Sequence, residues 1–142
     1  MIVVDANLLI YSYDTASPDH RNARAWIERI FSEAELVGLP WQTVAAFLRV
    51  ITNRRLAGFR ITVEQAMQIV ETWLEQPNVR LLAPGDDYWS VLKRMIVEGS
   101  ASGSLISDAE MVALTIENGG VLYTADRDFA RFPGLRWKNP LQ

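Results

Sequence analysis

The chain has 142 residues, of which 49% are hydrophobic and 22% charged, and its formal net charge is −3 at neutral pH. This length and composition predict a single folded domain over residues 1–142 and exclude intrinsically disordered and fibrous proteins. The chain has no cysteine and one histidine, His20, which excludes disulfide frameworks, thiolate zinc sites and multi-histidine metal centres. Any catalysis must therefore depend on carboxylates, hydroxyls, amides or arginine.

The sequence contains no pattern that indicates a membrane protein or an exported one. No apolar run approaches the roughly 18 residues of a membrane-spanning helix, and no basic region precedes the short apolar start. We therefore expect a cytoplasmic protein with no membrane partner.

Short apolar segments alternate with helical patterns along the chain. The predicted strands, each bounded by an acid or a turn residue, cover residues 2–4, 36–39, 79–83, 121–124 and a short fifth segment at 135–137. The predicted helices, marked by apolar spacing or capping residues, begin near Leu8, Ser17, Val44, Thr62, Pro84 and Ser107. His20 lies in the second helix and is expected to face solvent. This alternation predicts an α/β fold, a three-layer α/β/α sandwich around a mainly parallel sheet of four to five strands.

Three aspartates fall where an open α/β sheet binds its ligands, beyond the carboxyl ends of the strands. Asp5 follows the first strand directly, and Asp126 follows the fourth strand after two residues. Asp108 lies in the first turn of the helix that leads into the fourth strand, so a right-handed crossover brings it to the same edge. The three carboxylates can then meet in one cleft, and Asp128 could join them.

Each of these acids also has a structural explanation. Asp5 could cap the turn or helix that follows it, and Asp108 could compensate a helix dipole. Asp128 could cap the short segment after it, and Glu110 completes a capping box with Ser107. Taken singly, none of these residues decides between structure and function.

Carboxylates held close together raise one another's pKa unless a cation neutralises them. Oxygen ligands without histidine or cysteine suit the hard divalent ions Mg²⁺ and Mn²⁺. Such an ion activates water and neutralises the charge that develops during phosphodiester hydrolysis. The acids therefore favour a Mg²⁺ or Mn²⁺ site suited to that reaction, holding one ion or two.

Four segments carry motifs in a fixed order. Residues 2–9 read IVVDANLL, an apolar strand ending in D-x-N, and residues 106–109 read ISDA. Residues 122–129 read LYTADRDF, and residues 132–137 read FPGLRW. In order and spacing these segments resemble the motifs of the PIN-domain nucleases, and the last one is typical of the VapC toxin branch. The resemblance covers nearly the whole chain.

The resemblance implies an endoribonuclease that depends on Mg²⁺ or Mn²⁺ and acts as the toxin of a type II toxin–antitoxin pair. Such toxins are usually homodimers, and a cognate VapB-like antitoxin inhibits them by placing its tail in the active-site cleft. The site residues that it implies are the catalytic, metal-binding carboxylates Asp5, Asp108 and Asp126, the further candidate ligand Asp128, and the supporting polar residues Asn7 and Thr124.

One position departs from the family pattern. The helix after the second strand normally carries a fourth acid in a pattern like E-F-x-R-V, but Ala46 stands where that glutamate is expected. Asp128 or Glu110 could supply the missing oxygen. Otherwise one metal position is weakened, because fewer carboxylates bind a cation less strongly.

Arginines, but no acids, occupy the stretch from residue 36 to residue 63. Arg49 keeps its place in the family pattern, and Arg54, Arg55 and Arg60 follow it. We expect these arginines to form a basic rim that holds the RNA backbone while the acids hold the metal. The alternative is a solvated helix end and loop.

Two other functions stay open from the sequence. The missing glutamate would also fit a catalytically weak PIN-fold module that binds RNA or an antitoxin. A strand followed by D-x-N also resembles, superficially, the nucleophile motif of haloacid dehalogenase phosphatases. Those enzymes need a second aspartate two residues on, where this chain has Asn7, and a lysine, for which the chain offers Lys93 and Lys138.

Overall fold

The computed structural model describes residues 1–55 and 61–142. These residues form a five-stranded sheet with helices on both faces. The strands are β1 (Ile2–Val4), β2 (Val37–Pro40), β3 (Val79–Leu82), β4 (Val121–Tyr123) and β5 (Trp137–Lys138). The helices are α1 (Ala6–Tyr11), α2 (His20–Ser32), α3 (Trp41–Ile51), α4 (Val63–Leu74), α5 (Tyr88–Glu98) and α6 (Leu105–Glu117), with a 3₁₀ helix at Arg127–Arg131.

The strands are all parallel, in the order β3-β2-β1-β4-β5. This arrangement confirms the predicted α/β/α sandwich and its parallel sheet. The central strand β1 pairs with β2 on one side and with β4 on the other, so the sheet order reverses there. A crevice at such a reversal, beyond the carboxyl ends of the strands, is the usual ligand site of open α/β sheets.

Two apolar cores cover the two faces of the sheet. Successive strand residues point to opposite faces, so Ile2 and Val4 pack beneath α1 to α4, while Val3 packs against α5 and α6. The larger core includes Phe47 and Trp73, whose rings meet edge to face at 4.6 Å. β1 is thereby buried on both faces, which gives Asp5, the next residue, a rigid support.

The start of α2 differs from the prediction. The helix begins at His20 rather than at Ser17, because the Ser17 hydroxyl accepts the Asp19 N–H at 3.1 Å and forms a turn before the helix. By contrast, the capping box predicted at Thr62 is present, with the Thr62 hydroxyl accepting the Gln65 N–H at 3.1 Å.

Two helix starts in the second half of the chain also lie elsewhere than predicted. α6 begins at Leu105, so Ser107 lies inside the helix and the predicted capping box with Glu110 does not form. α5 begins four residues after Pro84, because the Glu117 carboxylate accepts the N–H groups of two preceding residues. β5 begins at residue 137, two residues later than expected. No helix in the described ranges is both long and apolar enough to cross a bilayer.

Candidate active site

Asp5 lies at the end of β1 and caps α1. Its Oδ1 accepts the N–H of Ala6 at 2.7 Å. Its Oδ2 accepts the Thr124 hydroxyl at 2.7 Å and the Asn7 amide at 3.2 Å. The structural explanation therefore holds for Asp5, and its second oxygen joins a polar network at the end of β4.

Thr124, which follows β4, connects the two strand ends. Its hydroxyl is fully buried and donates to Asp5, while its oxygen accepts the Asp126 N–H at 3.0 Å and the Asn7 amide at 3.3 Å. A hydroxyl offers one donor and two acceptor positions. All three are used here, so Thr124 fixes the geometry of Asp5, Asn7 and the backbone of Asp126 together.

Asn7 holds the other side of this network. Its amide nitrogen lies between Asp5 and Thr124, and its oxygen accepts the Ala125 N–H at 3.4 Å. The side chain therefore ties α1 to the segment after β4. The structure brings both of the predicted supporting residues to Asp5.

Asp126 and Asp128 begin the 3₁₀ helix together. The Oδ1 of Asp126 accepts the Asp128 N–H at 2.8 Å, which makes Asp126 the N-cap. The structural explanation that gave this capping role to Asp128 is therefore wrong. The Asp128 side chain is exposed, and its charge acts on Asp108.

Electrostatic interactions link four aspartates, with Asp5, Asp126 and Asp128 all acting on Asp108. Burial raises the pKa of Asp5, and the charge of Asp126 adds to the rise, although hydrogen bonds from Thr124 and Ala6 oppose it. Asp108 lies in the first turn of α6, as predicted. Burial raises its pKa, as do the charges of Asp126, Asp5 and Asp128, and the charge of Arg131 counteracts the rise. We refer to Asp5, Asp108, Asp126 and Asp128 as the acid cluster.

The donor set of the acid cluster fits a hard divalent ion by its chemistry. All the ligating atoms would be carboxylate oxygens, and their mutual repulsion is the condition that a bound cation relieves. Among residues 1–55 and 61–142, however, no three acidic or histidine side chains are already grouped as an ion site.

The position of the missing glutamate lies on the face of α3 whose first turn contacts α6. Ala46 lies one turn beyond Gln42 on the same face of α3, and it is half-buried. The Gln42 amide donates to the Ser107 carbonyl at 3.1 Å, so the start of α3 contacts the first turn of α6 next to Asp108. Burial raises the pKa of the Tyr88 phenol on α5 and the charge of Glu110 adds to the rise, whereas the charges that raise the pKa of Asp108 are those of Asp126, Asp5 and Asp128.

Arg49, Arg54 and Arg55 lie towards the C-terminal end of α3, away from Gln42. Arg49 is exposed near the end of α3, about 10 Å along the helix axis from Gln42. Arg54 and Arg55 are exposed in the turn that follows. Arg60 lies outside the described residues.

Two residues near the acid cluster were missed in the sequence. Tyr11 ends α1, and the charges of Asp19, Asp5 and Asp126 reach its phenol. His20 was expected to face solvent, but it is half-buried with its Nδ1 at 2.9 Å from the Tyr11 carbonyl oxygen. The only sign of Tyr11 in the sequence was its position, as an aromatic residue at the end of an apolar helix and four residues after Asn7.

The sequence profile of the PIN domain matches residues 2–135. The chain belongs to the PIN domain family. Curated relatives agree with this membership over nearly the whole chain. VapC ribonuclease Mb2897 of Mycobacterium bovis is 36% identical over 141 residues, which cover 99% of this chain and 96% of that protein. Ribonuclease VapC33 of Mycobacterium tuberculosis is 33% identical over 142 residues, which cover 100% of this chain and 99% of that protein.

Solved structures share the PIN fold. VapBC2 from Rickettsia felis, bound to a DNA fragment from its promoter, superposes with a TM-score of 0.72 at 14% identity, covering 98% of each chain. VapC20 of Mycobacterium tuberculosis, described as a Sarcin-Ricin loop cleaving toxin, gives a TM-score of 0.68 at 19% identity, covering 96% of this chain and 99% of that one. The resemblance to PIN-domain nucleases is therefore confirmed, and the phosphatase alternative has no support.

Proposed function

We propose that this PIN-domain protein is a metal-dependent endoribonuclease that acts as the toxin of a type II toxin–antitoxin system. The observation that carries the proposal is the acid cluster at the carboxyl ends of β1 and β4, where the charges of Asp126 and Asp5 act on Asp108. The relatives with 32–36% identity are named ribonucleases, which supports RNA as the substrate class.

The metal is Mg²⁺ or Mn²⁺. PIN-domain VapC nucleases are generally metal-dependent, and the carboxylate oxygens of Asp5, Asp108 and Asp126 are the ligands that these ions prefer. When bound, the ion supplies water activation and charge neutralisation at the scissile phosphate. The number of bound ions depends on how many carboxylates bind them. Because Ala46 replaces the usual glutamate, this site has one carboxylate fewer.

The residues around Asp5 keep its carboxylate usable as a ligand. Burial alone would favour the protonated form, but the hydroxyl of Thr124 and the N–H of Ala6 stabilise the ionised one. Asn7 holds the same oxygen from a second direction. These three donors orient the carboxylate before any substrate or ion arrives, which is the advantage of a preorganised site.

Asp128 is the better candidate to replace the missing glutamate. Its charge reaches Asp108, and its side chain is exposed and not used as a cap. The charge of Glu110 acts on Tyr88 instead. The proposal therefore includes Asp128 as the fourth carboxylate and leaves Glu110 out.

Arg49, Arg54 and Arg55 form the proposed rim for the RNA backbone. Their exposure and the absence of acids between residues 36 and 63 support this role. Because Arg49 lies in the last turn of α3 and Arg54 and Arg55 follow the helix, they would hold phosphates distant from the cleaved bond. Their contribution is then to affinity and to its salt dependence.

The proposed partners follow from the toxin role. The similar solved structures include VapBC complexes from Rickettsia felis and Haemophilus influenzae, which supports a VapB-like antitoxin for this chain. A homodimer is supported by the apolar side chains of Trp89 and Val97 on α5, which are 63% and 71% exposed. We further propose that residues 1–142 act as one domain and that the protein works in the cytoplasm, where its RNA substrate is.

Cleavage of a labelled structured RNA by purified, antitoxin-free protein tests the proposal. The reaction is run with Mg²⁺, with Mn²⁺ and with EDTA, and with the variants Asp5→Asn and Asp108→Asn, which keep the side-chain shape and remove the charge. Asp86→Asn, an exposed aspartate at the start of α5, is the matched control.

We expect cleavage that requires the metal, is lost in both cluster variants and is retained in the control. Cleavage that persists in EDTA would remove the metal from the proposal. Absence of cleavage across several RNAs, with RNA binding intact, would instead favour the catalytically weak binding module.

A further inference from the structure

Helix α1, whose N-cap is Asp5, carries a second polar side chain on the same face as Asn7, that of Tyr11. Residues four apart share one face of a helix, so Tyr11 lies one turn beyond Asn7 on the same side of α1. Asn7 contacts Asp5 and Thr124 directly. Tyr11 is half-buried at the end of the helix, and the charges of Asp5 and Asp126 reach its phenol.

The Tyr11 phenol is a protonated hydroxyl with its donor unused among the described residues. Its burial and the charges of Asp19, Asp5 and Asp126 raise its pKa, so the hydroxyl keeps its proton at any working pH. In the part of the chain that the structure describes, this hydroxyl makes no hydrogen bond with another residue. It is a neutral donor at the edge of a negatively charged site.

His20 holds the backbone that carries Tyr11. The Nδ1 of His20 lies 2.9 Å from the Tyr11 carbonyl oxygen. Because a carbonyl oxygen can only accept, Nδ1 must carry the hydrogen. The start of α2 is thereby fastened to the end of α1, across the turn that separates the two helices.

We propose that the Tyr11 hydroxyl donates a hydrogen bond to a phosphate oxygen of RNA bound at the acid cluster, and that His20 is the positioning residue for Tyr11. The inference rests on the proposed ribonuclease function. An RNA strand cleaved at the acid cluster must bring phosphates to it, and carboxylates cannot donate to them. A neutral hydroxyl can donate without adding a charge that competes with the cation.

The variant Tyr11→Phe removes only the hydroxyl. With a short labelled RNA we expect KM to rise about three- to tenfold, which corresponds to the loss of one neutral hydrogen bond. We expect kcat to change by less than about twofold. Tyr88→Phe is the matched control, because Tyr88 is also half-buried with a raised pKa, but its neighbours are Glu110 and Glu117. The control should keep the wild-type KM.

Two variants of His20 separate positioning from direct contact. His20→Ala removes the donor to the Tyr11 carbonyl and should raise KM as Tyr11→Phe does. His20→Asn keeps an N–H close to the position of Nδ1 and should restore the wild-type KM. A KM for His20→Asn as high as that of His20→Ala would overturn the positioning role.

Binding of a fluorescent RNA, measured by anisotropy in Mg²⁺, separates this inference from the proposed function. If the wild-type protein binds RNA without cleaving it, the same rise is expected in the Kd of Tyr11→Phe. An unchanged KM or Kd for Tyr11→Phe, in a protein with wild-type thermal stability, overturns the inference alone. A wild-type protein that neither binds nor cleaves RNA overturns both.

Discussion

The hydroxyl of Thr43 donates a 2.8 Å hydrogen bond to the carbonyl oxygen of Val4. In the register of β1 against β2, the next backbone hydrogen bond to the Val4 carbonyl would come from the N–H of residue 40. Residue 40 is Pro40, and proline has no N–H. Thr43, fully buried in the first turn of α3, supplies the missing donor. The peptide group that precedes Asp5 is therefore held on this side by a side chain rather than by the sheet.

Replacing Thr43 with valine should destabilise the protein. The variant keeps the shape and leaves the Val4 carbonyl buried without a donor, so we expect a loss of about 1–3 kcal/mol in the free energy of unfolding. Urea denaturation measures the change, and Thr43→Ser, which keeps the hydroxyl, is the control. Equal stability of the two variants would show that the carbonyl does not depend on Thr43.

Asp108→Asn should stabilise the protein in EDTA at pH 7. The raised pKa of Asp108 means that its ionised form is disfavoured in the folded state, so at pH 7 the charge lowers stability. Because Asp108 is half-exposed, we expect a melting temperature on the order of 1–3 °C higher in the variant.

The pH and metal dependence of this difference provide its checks. The difference should shrink as the pH falls and vanish below the ordinary carboxyl value of 3.8, where the group is protonated in both states. Adding Mg²⁺ should raise the melting temperature of the wild-type protein more than that of the variant. A variant less stable than the wild type at pH 7 in EDTA would contradict the repulsion within the acid cluster.

Restoring the family's acid should strengthen metal binding. In Ala46→Glu we expect the Mg²⁺ concentration for half-maximal cleavage to fall on the order of tenfold, because a further carboxylate increases cation affinity. Ala45→Glu is the control. Ala45 is exposed, and as the preceding residue of α3 it lies on a different face of the helix from Ala46. Equal Mg²⁺ requirements in both variants would place residue 46 outside the ion's reach.

The arginine rim predicts a change in salt dependence. In the double variant Arg54→Ala with Arg55→Ala, the slope of log affinity against log salt should flatten by about 0.7 for each phosphate of single-stranded RNA that is no longer neutralised. Lys93→Ala with Arg94→Ala removes the same charge from exposed positions of α5 and controls for net charge. If both pairs flatten the slope equally, the effect is one of total charge and the rim has no specific role.

The sequence predicted the positions of the aspartates that follow the strand ends. Asp5 and Asp126 each follow a buried apolar strand, and parallel strands end at one edge of the sheet, so their convergence needed no knowledge of side-chain packing. Asp108 followed from the handedness of one crossover. The meeting of Asn7 and Thr124 was expected only through the family resemblance.

The remaining details depended on tertiary contacts that local pattern does not encode. His20 binds a carbonyl across an irregular turn, so no periodicity placed it beside Tyr11. The start of α6 was misplaced because the serines between residues 100 and 107 offer several capping candidates, and only packing selects among them. The cap at Asp126 was assigned to Asp128 for a similar reason, since either acid can begin a short helix.

The hydrogen bond between Asp5 and Thr124 joins residues 119 apart in sequence. A growing polypeptide that ends before residue 121 has Asp5 and Asp108, but it lacks β4, the Thr124 hydroxyl that orients Asp5 and the carboxylate of Asp126. The central strand then has no neighbour on the β4 side, and the crevice has only one wall. Ribosomes that synthesise this protein are thus not exposed to a completed site until almost all of the chain has been translated.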